Sequence, residues 1–343
     1  MNKMPIKKII PICILLLLSC DIYADENDKL PQQQSHSTQK LDIFTLDYIE
    51  YLGNESAFYF TSLSENITFD NYDENGEVIL PRNLQLIPDT VGNYKKDIYI
   101  LNKKYRQRFM EATGIAETDT YYLYDYQNNQ LTTYPISELE VIAIIDAYSM
   151  DEKPCKFEDY YQFGFRLTSN QLPKALDPDS YQTLVYIGKE NPFAMQQLTA
   201  LDWKKIDNGD FPIISEIETS SKFIQDSFNK TYQAKANGWN YYVQDHFSQE
   251  IDINSAYYRQ VVIKDQGEAI LFNSEYAFND EIIPAFLNDQ HPEFQHKVQW
   301  SGRLFKNQPL VIFGFEWKSF GCPVIDFIDR SYKSLIIKCD NRH

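Results

Sequence analysis

From Leu41 onward, apolar and polar residues alternate in short segments separated by turn-forming pairs, a pattern of period two. Asn66–Tyr72 and Glu77–Leu80 flank Asp73-Glu-Asn-Gly76, and an Asn-Gly between alternating segments is a hairpin signal. Tyr121–Tyr126 and Leu131–Pro135 flank Asn128-Asn129, and Tyr257–Lys264 and Ala269–Tyr276 flank the turn Asp265–Glu268, so two further hairpins are predicted. Glu138–Ala147, Tyr160–Leu167, Gln182–Gly188, Leu310–Trp317, Val324–Ile328 and Ser334–Lys338 are apolar or β-branched enough to be strands. Tyr94–Thr113 is predicted to be a helix stopped by Gly114, and Ser220–Gly238 and Asp280–Leu287 also read as helical. The expected fold is therefore α+β, mainly antiparallel sheet with peripheral helices. Two strands share a centre: Tyr161–Leu167 and Val311–Trp317 each carry Phe-Gly-Phe, a hint of internal duplication. Within a strand those aromatics share one face, and the glycine admits a close neighbour on the other.

The first forty residues break this pattern. Lys3, Lys7 and Lys8 precede an apolar run, Ile9–Leu18, and the chain turns polar after Cys20. A basic start followed by an apolar stretch of about 7–15 residues marks a secretory signal, and spanning a bilayer takes roughly 20. Leu17-Leu18-Ser19-Cys20 resembles the bacterial lipobox, in which the cysteine is lipidated and becomes the first residue. That resemblance implies a signal over 1–19, lipidation at Cys20 and tethering to the periplasmic side of a membrane. The alternative is cleavage after Ala24, which releases the protein into the periplasm. Asp25–Lys40 is polar and Gln-rich, so 20–40 is expected to be a flexible tether. The remaining length exceeds the usual size of one core, so two domains, 41–220 and 221–343, are expected.

Charge narrows the partners. The 343 residues carry 49 acidic and 32 basic side chains, a formal charge of −17. Loss of residues 1–20 removes three lysines and moves that to −20. Such a surface repels nucleic acid and anionic headgroups and suits a basic partner. Apolar content of 43% and aromatic content of 15% support a packed fold, since disordered chains lack both.

The sequence carries no motif that specifies a reaction: no phosphate-binding glycine loop, no His-Glu-x-x-His, no Gly-x-Ser-x-Gly and no Cys-x-x-Cys. No catalytic residue and no cofactor is expected. His291, Glu293 and His296 are the nearest thing to a zinc set, but their spacing does not put both imidazoles on one helical face, and no metal site is assigned. Asp245-His246, with Ser248 or Ser255, could supply parts of a triad, but neighbours on a strand point apart. Asn71–Gly76 resembles half of a calcium loop, yet Arg82 stands where the bidentate glutamate belongs. Cys322 and Cys339 flank the last two strands and are the preferred disulfide pair, leaving Cys155 unpaired. Trp203, Trp239, Trp300 and Trp317 are the candidate binding aromatics. These features point away from an enzyme and toward a protein-binding module of the cell envelope, most concretely an immunity-type protein that neutralises a basic periplasmic toxin. A structural lipoprotein that binds an envelope assembly component, and a hydrolase using two carboxylates, are the alternatives.

Overall fold

The computed structural model describes residues 41–50, 56–67, 85–89, 93–146, 149, 158–173, 182–213, 227–248, 258–288 and 297–341. Cys20 with the signal and tether, the Asn71–Gly76 turn, Cys155, Ser255 and the His291–His296 stretch lie outside them.

The architecture is all-β, not α+β: among the described residues there are four antiparallel sheets, a two-stranded ribbon and one α-helix, Lys104–Thr113. An outer N-terminal sheet of five strands runs in the order Asp47–Ile49, Phe58–Ser62, Tyr161–Thr168, Glu140–Ile145, Ile98–Ile100. The first inner sheet has four: Ile43–Phe44, Thr183–Gly188, Thr120–Asp125, Gln130–Pro135. A second inner sheet has five: Leu198–Ala200, Trp300–Gly302, Val311–Phe313, Val324–Phe327, Leu335–Ile336. The outer C-terminal sheet also has five: Lys204–Ile206, Ser227–Ala236, Trp239–Ser248, Tyr258–Lys264, Ile270–Ala277. Ile282–Pro284 and Glu316–Lys318 form the ribbon.

Period-two alternation explains how these sheets share cores. On Thr120–Asp125, Tyr121 and Leu123 enter a core with the outer N-terminal sheet and the helix, while Tyr122 and Tyr124 enter a second core with the other inner sheet. Val185 and Leu184 divide the same way. On Val311–Phe313 the outer two residues face the second core and Ile312 faces a third, shared with Tyr241, Val261 and Phe272 of the outer C-terminal sheet. Both inner sheets are therefore apolar on both faces, and each side chain is spent on a different core from its neighbour.

Three segments that read as helical account for the fold-class correction. Ile98–Ile100 pairs with Ile142–Ile144, so the helix begins only at Lys104 and ends at Gly114, whose φ of 71° and N–H bond to the Met110 carbonyl cap it. Ser227–Ala236 is a ten-residue strand joined to Trp239–Ser248 by Asn237-Gly238, both at positive φ. This is a two-residue turn that favours hairpins. Ile282–Pro284 is held by pairing with Glu316–Lys318, a partner more than thirty residues away that local periodicity does not reveal. The division expected at 220/221 falls among residues 214–226, outside the described set. Strands from either side of it meet in one sheet, where Leu198–Ala200 pairs with Trp300–Gly302.

Candidate functional site

Gly314 starts the construction of the site. Its φ is +89°, and a Cβ there would lie 2.0 Å from the Val298 carbonyl oxygen, so only glycine fits. The bend divides the expected strand Leu310–Trp317 into Val311–Phe313 and Glu316–Lys318. It sends Phe313 to the second core and Phe315 to the third. Buried Gln299 spans the bend, its Nε2 donating to the carbonyls of Gly314 (2.8 Å) and Phe286 (3.1 Å). In the other Phe-Gly-Phe, Phe163 and Phe165 both enter the first core, and Gly164 lies against the Thr61 carbonyl oxygen. The glycine admits a neighbouring backbone in both copies, but only the second copy bends.

A buried ion pair fixes the ribbon that follows. Arg259 binds both oxygens of Asp245, at 2.6 and 2.9 Å, and its Nη1 donates to the carbonyls of Ala285 (2.7 Å) and Phe315 (3.0 Å). Asp245 and Arg259 are register partners on adjacent strands, so alternation puts both on the same face. His246 turns to the opposite face, and neither imidazole nitrogen has a partner. Burial holds its pKa below the usual histidine value. Asp245 and His246 therefore do not form a catalytic dyad.

The bend and the ribbon enclose a cavity of about 810 Å³. Its walls include Tyr126, Tyr276, Phe286, Phe313, Phe315 and Trp317, backed by Leu184, Val298, Val324 and Ile337. Tyr276 stacks on Phe315 with centroids 5.6 Å apart, and Phe286 meets Trp317 edge to face at 5.1 Å. Polar groups are few. Glu316 and Lys318 pair at 3.0 Å. Asp326 interrupts an apolar strand: Ile325 and Phe327 face the second core, so Asp326 faces the cavity. One of its oxygens accepts from the Tyr276 hydroxyl (2.9 Å) and the other from Ser334 Oγ (2.6 Å). Burial, and then the Asp326 charge, push the Tyr276 hydroxyl well above the ordinary tyrosine pKa, so it remains a donor. Gln182 is buried in the wall; its Nε2 donates to the Lys297 carbonyl, and its Oε1 has no partner.

One side of the cavity is tied by a disulfide. Cys322 and Cys339 are bonded, with Sγ atoms 2.02 Å apart, between two cavity-lining residues, Gly321 and Pro323, and the last strand. Val324–Phe327 and Leu335–Ile336 pair as a hairpin inside that loop.

The tryptophans scatter. Trp203 is buried in the third core against Phe315, its indole N–H without a partner. Trp239 packs half-buried on the same core, and Trp300 lies in the second core donating to the Lys297 carbonyl. Trp317 alone of the four lines the cavity, and it is 40% exposed. Among the described residues eight large apolar side chains are exposed, and four sit on the cavity's own segments: Ile283, Trp317, Phe320 and Ile336. Ile283 is the cross-strand partner of Trp317, and Phe320 and Ile336 adjoin the lining residues Gly321 and Ile337. Asp326, Tyr276 and Gln182 escape a reading of the sequence. The one local signal was an acid within the apolar run Val324–Ile328.

No family model, curated protein or solved structure matches the chain.

Proposed function

We propose that this chain is an exported, lipid-tethered protein-binding module of the cell envelope, and that its contact face is the aromatic cavity with the apolar side chains flanking it. The observation that carries this reading is the continuity of the two: Trp317, Ile283, Phe320 and Ile336 stay exposed on the segments that enclose the cavity. Apolar surface gathered in one place marks an interaction site, whereas single exposed apolar residues are ordinary. Aromatic anchors that insert into, or receive, a partner's side chains dominate binding energy at such surfaces. The net charge of −17 suits a basic partner and would speed its approach. The most concrete form of the reading is an immunity-type protein that covers the active site of a basic toxin in the periplasm.

The hydrolase alternative would use the same cavity, with Glu316 and Asp326 as its acids. Both carboxylates are already engaged as acceptors, one by Lys318 and one by two hydroxyls. Glycoside hydrolysis needs one of its pair to donate a proton, so the arrangement favours binding.

The test is affinity purification of the tethered protein from its own cells, with Trp317→Glu and Ile100→Ser run alongside. Ile100 is exposed on the outer N-terminal sheet, away from the cavity's segments. One stoichiometric basic partner that Trp317→Glu loses and Ile100→Ser keeps would support the reading. A partner retained by both variants would remove the cavity from it, and no partner at all would overturn it.

A further inference from the structure

Resting on the binding reading above, we infer that the cavity receives an arginine side chain of the partner protein, its guanidinium meeting Asp326 and its stem lying against the aromatic walls. One carboxylate in the cavity has unused capacity and no counter-charge. Asp326 takes one hydroxyl bond on each oxygen, and an ionised carboxylate has about four acceptor sites. It forms no ion pair among the described residues, whereas Glu316 in the same wall is matched by Lys318. Asp326 is partly buried, and a partly buried carboxylate with no counter-charge costs free energy unless a cation matches it.

The missing group must therefore donate without needing to accept. Guanidinium is such a group: five N–H donors, no acceptor, a permanent charge and a flat face that stacks on aromatic rings. The Tyr276 ring, stacked on buried Phe315, reaches Asp326 through its hydroxyl, and cations are held over such aromatic faces. The charges agree: Lys318 neutralises Glu316, so among the described residues Asp326 is the unmatched charge at this end of the cavity. An acyl chain or neutral aromatic compound would fill the walls but leave the Asp326 charge unmatched.

The test uses the full chain in detergent, with protein-free micelles as the blank, and the uncharged dye N-phenyl-1-naphthylamine as cavity reporter. A capped Leu-Arg-Phe tripeptide and its citrulline counterpart, equal in shape but neutral, then compete for the site. The arginine peptide should displace the dye at about tenfold lower concentration or less, the difference expected of a charge-assisted hydrogen bond. Asp326→Asn should abolish that preference. Asp329→Asn, at an exposed acid two residues past the end of the Val324–Phe327 strand, should retain it and so controls for net charge. Equal displacement by both peptides on the wild-type chain overturns the guanidinium assignment alone, because dye binding still demonstrates the cavity. Dye binding that is absent, or unchanged in Trp317→Ala, overturns the cavity reading beneath it.

Discussion

Asp47 occupies an edge strand of the outer N-terminal sheet, and its carboxylate is enclosed enough that burial pushes its pKa up to about 6. The Thr45 hydroxyl donates to it at 3.1 Å and works the other way, while the Asp340 charge adds to the rise. A carboxyl whose pKa is higher folded than unfolded binds its proton more tightly in the fold. Its stabilising contribution is then complete at low pH and is lost as pH rises from 3.8 through 6. Asp47→Asn keeps the Thr45 bond and removes the charge. Its melting temperature should exceed the wild-type value at pH 7 by an amount reflecting on the order of 2 kcal/mol, and the gap should close toward pH 4. A pH-independent gap would show that the carboxylate is solvated. No sequence pattern marks this residue, because the fold creates its burial, and Asp340, which adds to the effect, lies almost three hundred positions away.

At the scale of elements, hairpins were legible where the turn itself carries the instruction. Asn128-Asn129 turns Thr120–Asp125 into Gln130–Pro135, with Asn129 at φ 52° and Asp125 bonding the Asn128 N–H. Asn237-Gly238 carried the same instruction, yet the polar outward face of Ser227–Ala236 disguised it as a helix. The bend at Gly314 is an element boundary that one residue enforces. Gly314→Ala combines positive φ with a backbone clash, so it should destabilise by about 3 kcal/mol, the upper end of ordinary point changes, measured by urea unfolding. A loss below about 0.5 kcal/mol would mean that Val298 gives way. The ribbon depends on its clamp in a comparable way. Arg259→Met leaves Asp245 buried without its counter-charge and frees the Ala285 and Phe315 carbonyls. A loss of about 3–5 kcal/mol is expected. Arg259→Met with Asp245→Leu should recover most of that stability while the ribbon stays unclamped and dye binding stays weak. If the double variant binds dye normally, the clamp does not shape the cavity.

Across the whole molecule, three cores are joined because each inner sheet contributes one face to each of two of them. Damage to one core should therefore weaken the rest. Leu184→Ala, in the second core on a strand whose next residue faces the first, should cost about 2–5 kcal/mol. Far-ultraviolet circular dichroism and tryptophan fluorescence should still follow one common transition, although all four tryptophans lie after residue 200. Separate transitions by the two probes would show that the cores unfold independently.

The sequence by itself determined strands such as Tyr161–Thr168 and Thr183–Gly188 and the hairpins at Asn128-Asn129 and Asp265–Glu268, since alternation and turn residues act between neighbours in the chain. Strand over-representation, the acid balance and the expectation of export were likewise properties of composition or of short runs. Tertiary structure alone decided that the fold is all-β, because Ile98–Ile100 and Ile282–Pro284 become strands only through distant partners. It alone decided which of the four tryptophans lines the cavity. The cavity belongs wholly to that level: its walls come from positions as far apart as Thr45 and Ile337, and no spacing along the chain encodes a contact made only when the sheets stack.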